Sequence, residues 1–153
     1  MTHSISPHRT SLLLLTLIAL AGFGWVSVSG DQRAAATEQQ SSDDALTIVW
    51  TSGDPDVAHR MVLMYAGAAK RQGWFGDVRI IIWGPSQRLV VADKDIRAKI
   101  TTLMEHGAVV EACLACSDSY GVTDDLRGFG VTVKYMGVPL SDDLKSGRHV
   151  ITF

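Results

Sequence analysis

Asparagine does not occur anywhere in the 153 residues. Its absence removes Asn-X-Ser/Thr glycosylation and any Cys-His-Asn catalytic arrangement. Cysteine is scarce: Cys113 and Cys116 are the two in the chain, too few for a disulfide framework but enough for one local bridge. An excess of positive charge is missing as well. Residues 46–153 carry twelve Lys/Arg and twelve Asp/Glu, so no broad basic surface exists to follow phosphates. A nucleic-acid partner therefore has no electrostatic support. The formal charge of −2 comes from the four acids within residues 31–44, half offset by Arg9 and Arg33. Neither a Walker A loop nor G-x-G-x-x-G occurs, so no nucleotide cofactor is expected. No internal repeat is visible.

What is present begins with an address. Residues 11–28 read SLLLLTLIALAGFGWVSV without a charged side chain, and Arg9 precedes them. A positive start followed by an apolar segment is the pattern of an export signal. The run exceeds the roughly 7–15 residues of an ordinary signal core and approaches the ~20 that cross a bilayer. A cleaved signal peptide and a retained anchor both fit residues 1–30. In either case the rest of the chain is expected outside the cytoplasm, periplasmic in a bacterium, with no membrane contact beyond this segment. Residues 31–45, rich in Ala, Gln, Ser and Asp, read as a flexible linker. Residues 46–153 are long enough for one domain with one core.

In that domain apolar strand-like runs alternate with helical stretches. Leu46-Thr-Ile-Val-Trp50, Val78-Arg-Ile-Ile-Ile-Trp83, Ala108-Val-Val-Glu-Ala112, Val131-Thr-Val-Lys-Tyr135 and His149-Val-Ile-Thr-Phe153 are the five strands. Their near-continuous apolar character suits burial on both faces. Between the first two, Asp54-Pro55 opens a helix that stops at Gly73, with Val57, Met61, Met64 and Ala68 as its inner stripe. Further helices are expected over residues 86–91 and 93–105, just after the cysteines, from Thr123, and over residues 141–146. This order predicts an α/β fold: a five-stranded, mostly parallel sheet with helices on both faces, a three-layer arrangement of the flavodoxin or Rossmann kind.

Chemistry in such folds sits beyond the C-terminal strand ends. Cys113-Leu-Ala-Cys116 falls there, with Cys116 near the start of a helix whose free N–H groups favour a thiolate. A thiolate attacks disulfides and accepts sulfane sulfur as a persulfide. A static bridge, two small buried hydrophobes, or a metal site are the other readings of the pair. Zinc needs about four ligands, and His59, His106 and His149 lack metal-ligand spacing, so no metal is expected. Ser52, Gly53 and Asp54 form a turn that can hold an anion or merely cap its helix. His59, one turn on, is a proton shuttle or an ordinary surface histidine. Trp50 and Trp83 end neighbouring strands and either wall a pocket or fill the core. Gly84, Met136, Gly137 and the Val138-Pro139 turn complete the loops at the same sheet edge.

Four segments carry a family resemblance: IVWTSGDPDVAHRM from Ile48, IIIWGPS from Ile80, VEACLACSDSYGV from Val110, and VKYMGVPL from Val133. Together they make residues 46–153 resemble the DsrE/DsrF-like family of small α/β sulfur-handling proteins, in an exported single-domain form. The resemblance implies a sulfur-accepting cysteine after the third strand, ahead of a short helix and a Gly-hydrophobic pair. Cys113, before Gly121-Val122, occupies that place. Cys116 is an addition to the relay pattern, and a neighbouring thiol there resolves a persulfide into a disulfide. Relay members work in the cytoplasm, which the export segment contradicts for this chain. The resemblance also implies a homo-oligomer, often a trimer, with Leu63, Tyr65 and Met136 as candidate contacts. A thiol or sulfur-donor protein is the implied partner. Two function classes follow: a handler of sulfane sulfur or thiol/disulfide equivalents through the Cys pair, or a non-enzymatic binding or assembly module in which the cysteines are a structural clasp. A thioredoxin-like oxidoreductase fits less well, because its Cys-X-X-Cys follows an early strand.

The address makes its own prediction. A reporter fused after Phe153 should be active outside the cytoplasm of a bacterial host, because Arg9 stays on the inner side. Reporter activity confined to the cytoplasm would remove the export reading.

Overall fold

A computed structural model describes residues 44–153; the apolar address and the linker up to residue 43 lie outside the described residues. Five strands, β1 Ala45–Trp50, β2 Asp77–Ile82, β3 Val109–Cys113, β4 Thr132–Lys134 and β5 His149–Thr152, form one sheet in the order β4-β3-β2-β1-β5. Every neighbouring pair is parallel. β1 takes up Ala45, which the sequence reading leaves in the linker. Asp44 ties this start to the next strand, accepting from the Gly76 amide at 2.9 Å and the Asp77 amide at 3.2 Å.

A helical run follows β1 in three parts: α1 Pro55–Val57, a π-helical segment Ala58–Val62, and α2 Leu63–Gln72. Then come α3 Ser86–Ala92, α4 Lys94–Glu105, α5 Leu114–Tyr120, α6 Thr123–Gly128 and α7 Gly137–Lys145. The run stops where Gly73 adopts φ 65°, a left-handed cap that glycine takes without penalty. Leu46, Ile48 and Trp50, with Val78, Ile80 and Ile82, alternate onto one sheet face and form the main core with Ala58, Val62, Ala66, Ile96, Ile100 and Leu126.

The inner stripe of the first helical run differs from the expected one. Met61 is 46% and Met64 59% exposed, whereas Ala58, Val62, Ala66 and Ala69 are fully buried. The π turn adds a residue to one helical turn and shifts the phase downstream. Close approach to the sheet then selects the small alanines over the bulkier methionines. The expected contact residues change place too: Leu63 and Met136 are core, and Tyr65 packs on Trp74 with ring centroids 5.9 Å apart.

Strands β1 to β4 step one way across the sheet with their helices on the main-core face. The return from β4 to β5 carries α7 over the other face, as right-handed crossovers require. α7 starts at Gly137, four residues before the expected start, because Pro139 lies in its first turn, where no intrahelical N–H is needed. The face beneath it is polar. Arg79 of β2 bonds both Asp143 oxygens at 2.8 and 2.9 Å, and Thr47 of β1 donates to Asp143 at 2.7 Å. Arg148 donates to Thr47 at 2.7 Å and to the Leu46 carbonyl at 3.0 Å. Glu111 of β3 takes Lys134 at 2.6 Å and Arg79 at 3.5 Å.

The hydrogen bond from Arg148 holds the Asp77 carboxyl below its ordinary value, against the opposing effect of partial burial. A lowered folded value means stability present above the ordinary carboxylate range and lost as pH falls through the folded one. Asp143 carries more weight, because removing it takes the bidentate partner from the part-buried Arg79 guanidinium and the acceptor from the buried Thr47 hydroxyl. Asp143→Ala should cost about 3 kcal/mol in urea unfolding; a loss below about 1 kcal/mol would show that α7 is held by something else.

Candidate functional site

β3 runs as far as Cys113, which pairs with Lys134 of β4 and keeps an extended backbone at φ −75° and ψ 115°. The chain then turns directly into α5, so Cys116 stands in its first turn. Both cysteines are free, and they approach to 4.0 Å. Cys113 is 4% exposed and packs on Ile81 and Met136, with Trp83, Cys116 and Leu140 around them. This small apolar cluster lies on the α7 side of the sheet, at the strand ends.

Burial pushes the Cys116 thiol above its ordinary value; a hydrogen bond from the Gly84 backbone opposes this, and the neighbouring Cys113 adds to it. The expected lowering at a helix start does not win at Cys116. The first turn of a seven-residue helix offers little dipole, while apolar neighbours penalise the anion. Cys116 therefore keeps its proton at neutral pH and is the more accessible of the two thiols.

Trp83, Gly84 and Met136 stand beside the cysteines, and Gly137 follows as the first residue of α7. Gly84 takes φ 69°, a turn that presents its backbone to Cys116. Ser52, Gly53 and Asp54 form the adjacent loop. A Cβ on Gly53 would meet the Pro85 Cβ at 3.3 Å, so the loops after β1 and β2 touch there. Asp54 caps its helix, accepting from the Asp56 and Val57 amides at 2.7 and 3.4 Å. Those amides are thus already used, which leaves capping as the role of this turn. Trp50 is core, and its indole donates to the Ser52 carbonyl at 2.9 Å. His59 lies apart, facing α4, where its Nδ1 is 2.8 Å from the Lys99 ammonium and its Nε2 3.7 Å from Asp93.

Two residues escaped the sequence reading. Ser86 donates to the Trp50 carbonyl at 2.7 Å and to the Trp83 carbonyl at 3.2 Å. Gln87, wholly buried, donates from Nε2 to the Ile82 carbonyl at 3.0 Å and to the Cys113 carbonyl at 2.9 Å. One Ser-Gln pair thus ties together the ends of β1, β2 and β3 and fixes the backbone of Cys113. A polar pair opening a helix right after a strand end was the available signal. Among the described residues no group of three His, Cys, Asp or Glu side chains could hold a metal ion.

No curated protein matches the chain. Among solved structures, a conserved protein of unknown function from Bacteroides thetaiotaomicron, BT1422, is 37% identical with a TM-score of 0.71, covering 74% of this chain and 97% of its own. The YchN protein of E. coli shares the fold at 15% identity and a TM-score of 0.52, over 71% of this chain and 98% of its own. A family model described as DsrE/DsrF-like matches residues 44–153. The strand order, the cysteine at the end of β3 and these likenesses agree: the chain belongs to the DsrE/DsrF-like family.

Proposed function

We propose that this is an exported DsrE-like protein that takes up sulfane sulfur on Cys113 and resolves it with Cys116. Sulfur relay is the activity at the level of the family. The observation that carries the finer reading is the pair of free thiols 4.0 Å apart at the end of β3. The Cys113 thiolate attacks the outer sulfur of a persulfide or polysulfide, forming Cys113–S–S⁻ and releasing the shortened thiolate of the donor. Cys116, after losing its proton, attacks the Cys113 sulfur and expels hydrosulfide. The sulfane sulfur is thereby reduced to sulfide, and the two cysteines are oxidised to a disulfide. A dithiol protein returns them to thiols and leaves as its own disulfide, entering at Cys116, the more open side. The 4% exposure of Cys113 favours a small polysulfide as the donor.

Residues 1–30 direct the domain out of the cytoplasm or anchor it to the membrane. The domain assembles with copies of itself, a trimer being the family expectation. Tyr135, Val138 and Leu144, which are 69%, 72% and 61% exposed, support that assembly. These replace Leu63 and Met136, which are core.

Mass analysis after polysulfide treatment tests the chemistry. Cys116→Ser should hold one added sulfur atom on Cys113, and Cys113→Ser should hold none. In the unmodified protein the adduct should shorten in lifetime as pH rises toward the raised value of Cys116, because the resolving thiolate becomes populated. If both variants lose a similar ~2 kcal/mol of stability and neither traps sulfur, the cysteines are a clasp and the protein a binding module. Gln87→Leu should cost about 2 kcal/mol by leaving two strand-end carbonyls without their donor. It should also slow sulfur uptake, and an unchanged uptake rate would separate Gln87 from the site.

A further inference from the structure

The face of the sheet away from α7 carries a second concavity, unrelated to the cysteines. It is a groove of about 450 Å³ between the 58–72 helical run and α4, within the range of small-molecule sites. Its floor is apolar: Leu63 and Leu103 are each 5% exposed, and Gly67 lies between them. A side chain on Gly67 would meet the Arg71 guanidinium at 2.9 Å and Leu103 at 3.8 Å. The missing side chain both opens the floor and lets Arg71 fold across it.

The walls are cationic from both sides. Lys70 and Arg71 come from α2, Lys99 from α4, with His59 and His106 at either end. Among the described residues no carboxylate lines the groove. Lys70, Arg71 and Lys99 form no ion pair among the described residues. Lys70 reaches only the Gly76 carbonyl at 3.1 Å, and Lys99 only His59 at 2.8 Å. In a domain whose charges balance, three cations around one apolar hollow are a local concentration, complementary to an anion with an apolar body.

We propose that this groove binds a small organic carboxylate, its aromatic or short alkyl body on Leu63, Gly67 and Leu103 and its carboxylate between Arg71 and Lys99. Neither an inorganic anion nor a neutral hydrocarbon uses both features. The test uses the full chain in neutral detergent with ¹³C-methyl methionine, because Met64 lines the groove and Met136 lies in the cysteine cluster. Naphthalene-2-carboxylate should shift the Met64 signal saturably and leave Met136 unchanged. The isosteric naphthalene-2-carboxamide should bind at least tenfold more weakly. Arg71→Glu combined with Lys99→Glu should weaken the carboxylate at least tenfold, with an unmoved Met136 signal reporting an intact fold. Equal binding of the amide, binding that survives the double substitution, or the absence of a saturable Met64 shift would each overturn the proposal.

Discussion

Asp143 stands between Arg79, Arg148 and Thr47, on the inner side of a nine-residue helix that, among the described residues, is the one helix laid over this face of the sheet. Four strands wind in one direction, so their helices crowd the opposite face and leave α7 alone on this one. A short helix cannot bury a five-stranded sheet with apolar contacts. The sheet responds with charge: Arg79 and Glu111 project from β2 and β3 where a doubly covered sheet would carry Val or Ile. The pairing is costly to desolvate, but its geometry is multidentate, which is the condition under which buried ion pairs hold their place.

That layer also separates two environments on one face. Toward the strand starts the surface is ionic; toward the strand ends Ile81, Cys113 and Met136 form an apolar patch. Cys116 therefore sits in surroundings that favour its neutral form, while Ser86 and Gln87 fix the backbone beneath the pair. In the proposed chemistry a small polysulfide would meet a hydrophobic entrance and a rigid acceptor, and the proton held by Cys116 would keep resolution apart from uptake.

The sheet was legible in the residues because each strand is a short run rich in apolar, mostly β-branched side chains closed by Gly, Pro or a loop, a local signal. The helix end at Gly73 was legible for the same reason. The position of the cysteines at a strand end was legible because a strand end followed by a helix start is also local. The inner face of the first helical run could not, since a π turn leaves no mark in a pattern of apolar residues and alanine competes poorly with methionine on hydrophobicity alone. Gln87 to Cys113, Thr47 to Asp143 and Arg79 to Asp143 span 26, 96 and 64 residues. Bonds of that reach depend on the finished topology.

The π turn at Ala58–Val62 is physically a one-residue insertion absorbed within a single turn. The widened turn takes up the extra residue, so the helix on either side keeps its rotation. Excising one residue there would restore ordinary α-helical winding with Val62, Ala66 and Ala69 still seated on the sheet. The loop whose Gly53 abuts Pro85 would stay where it is. The segment between β1 and α2 is thus a place where the chain can change length by one residue without disturbing the core on either side.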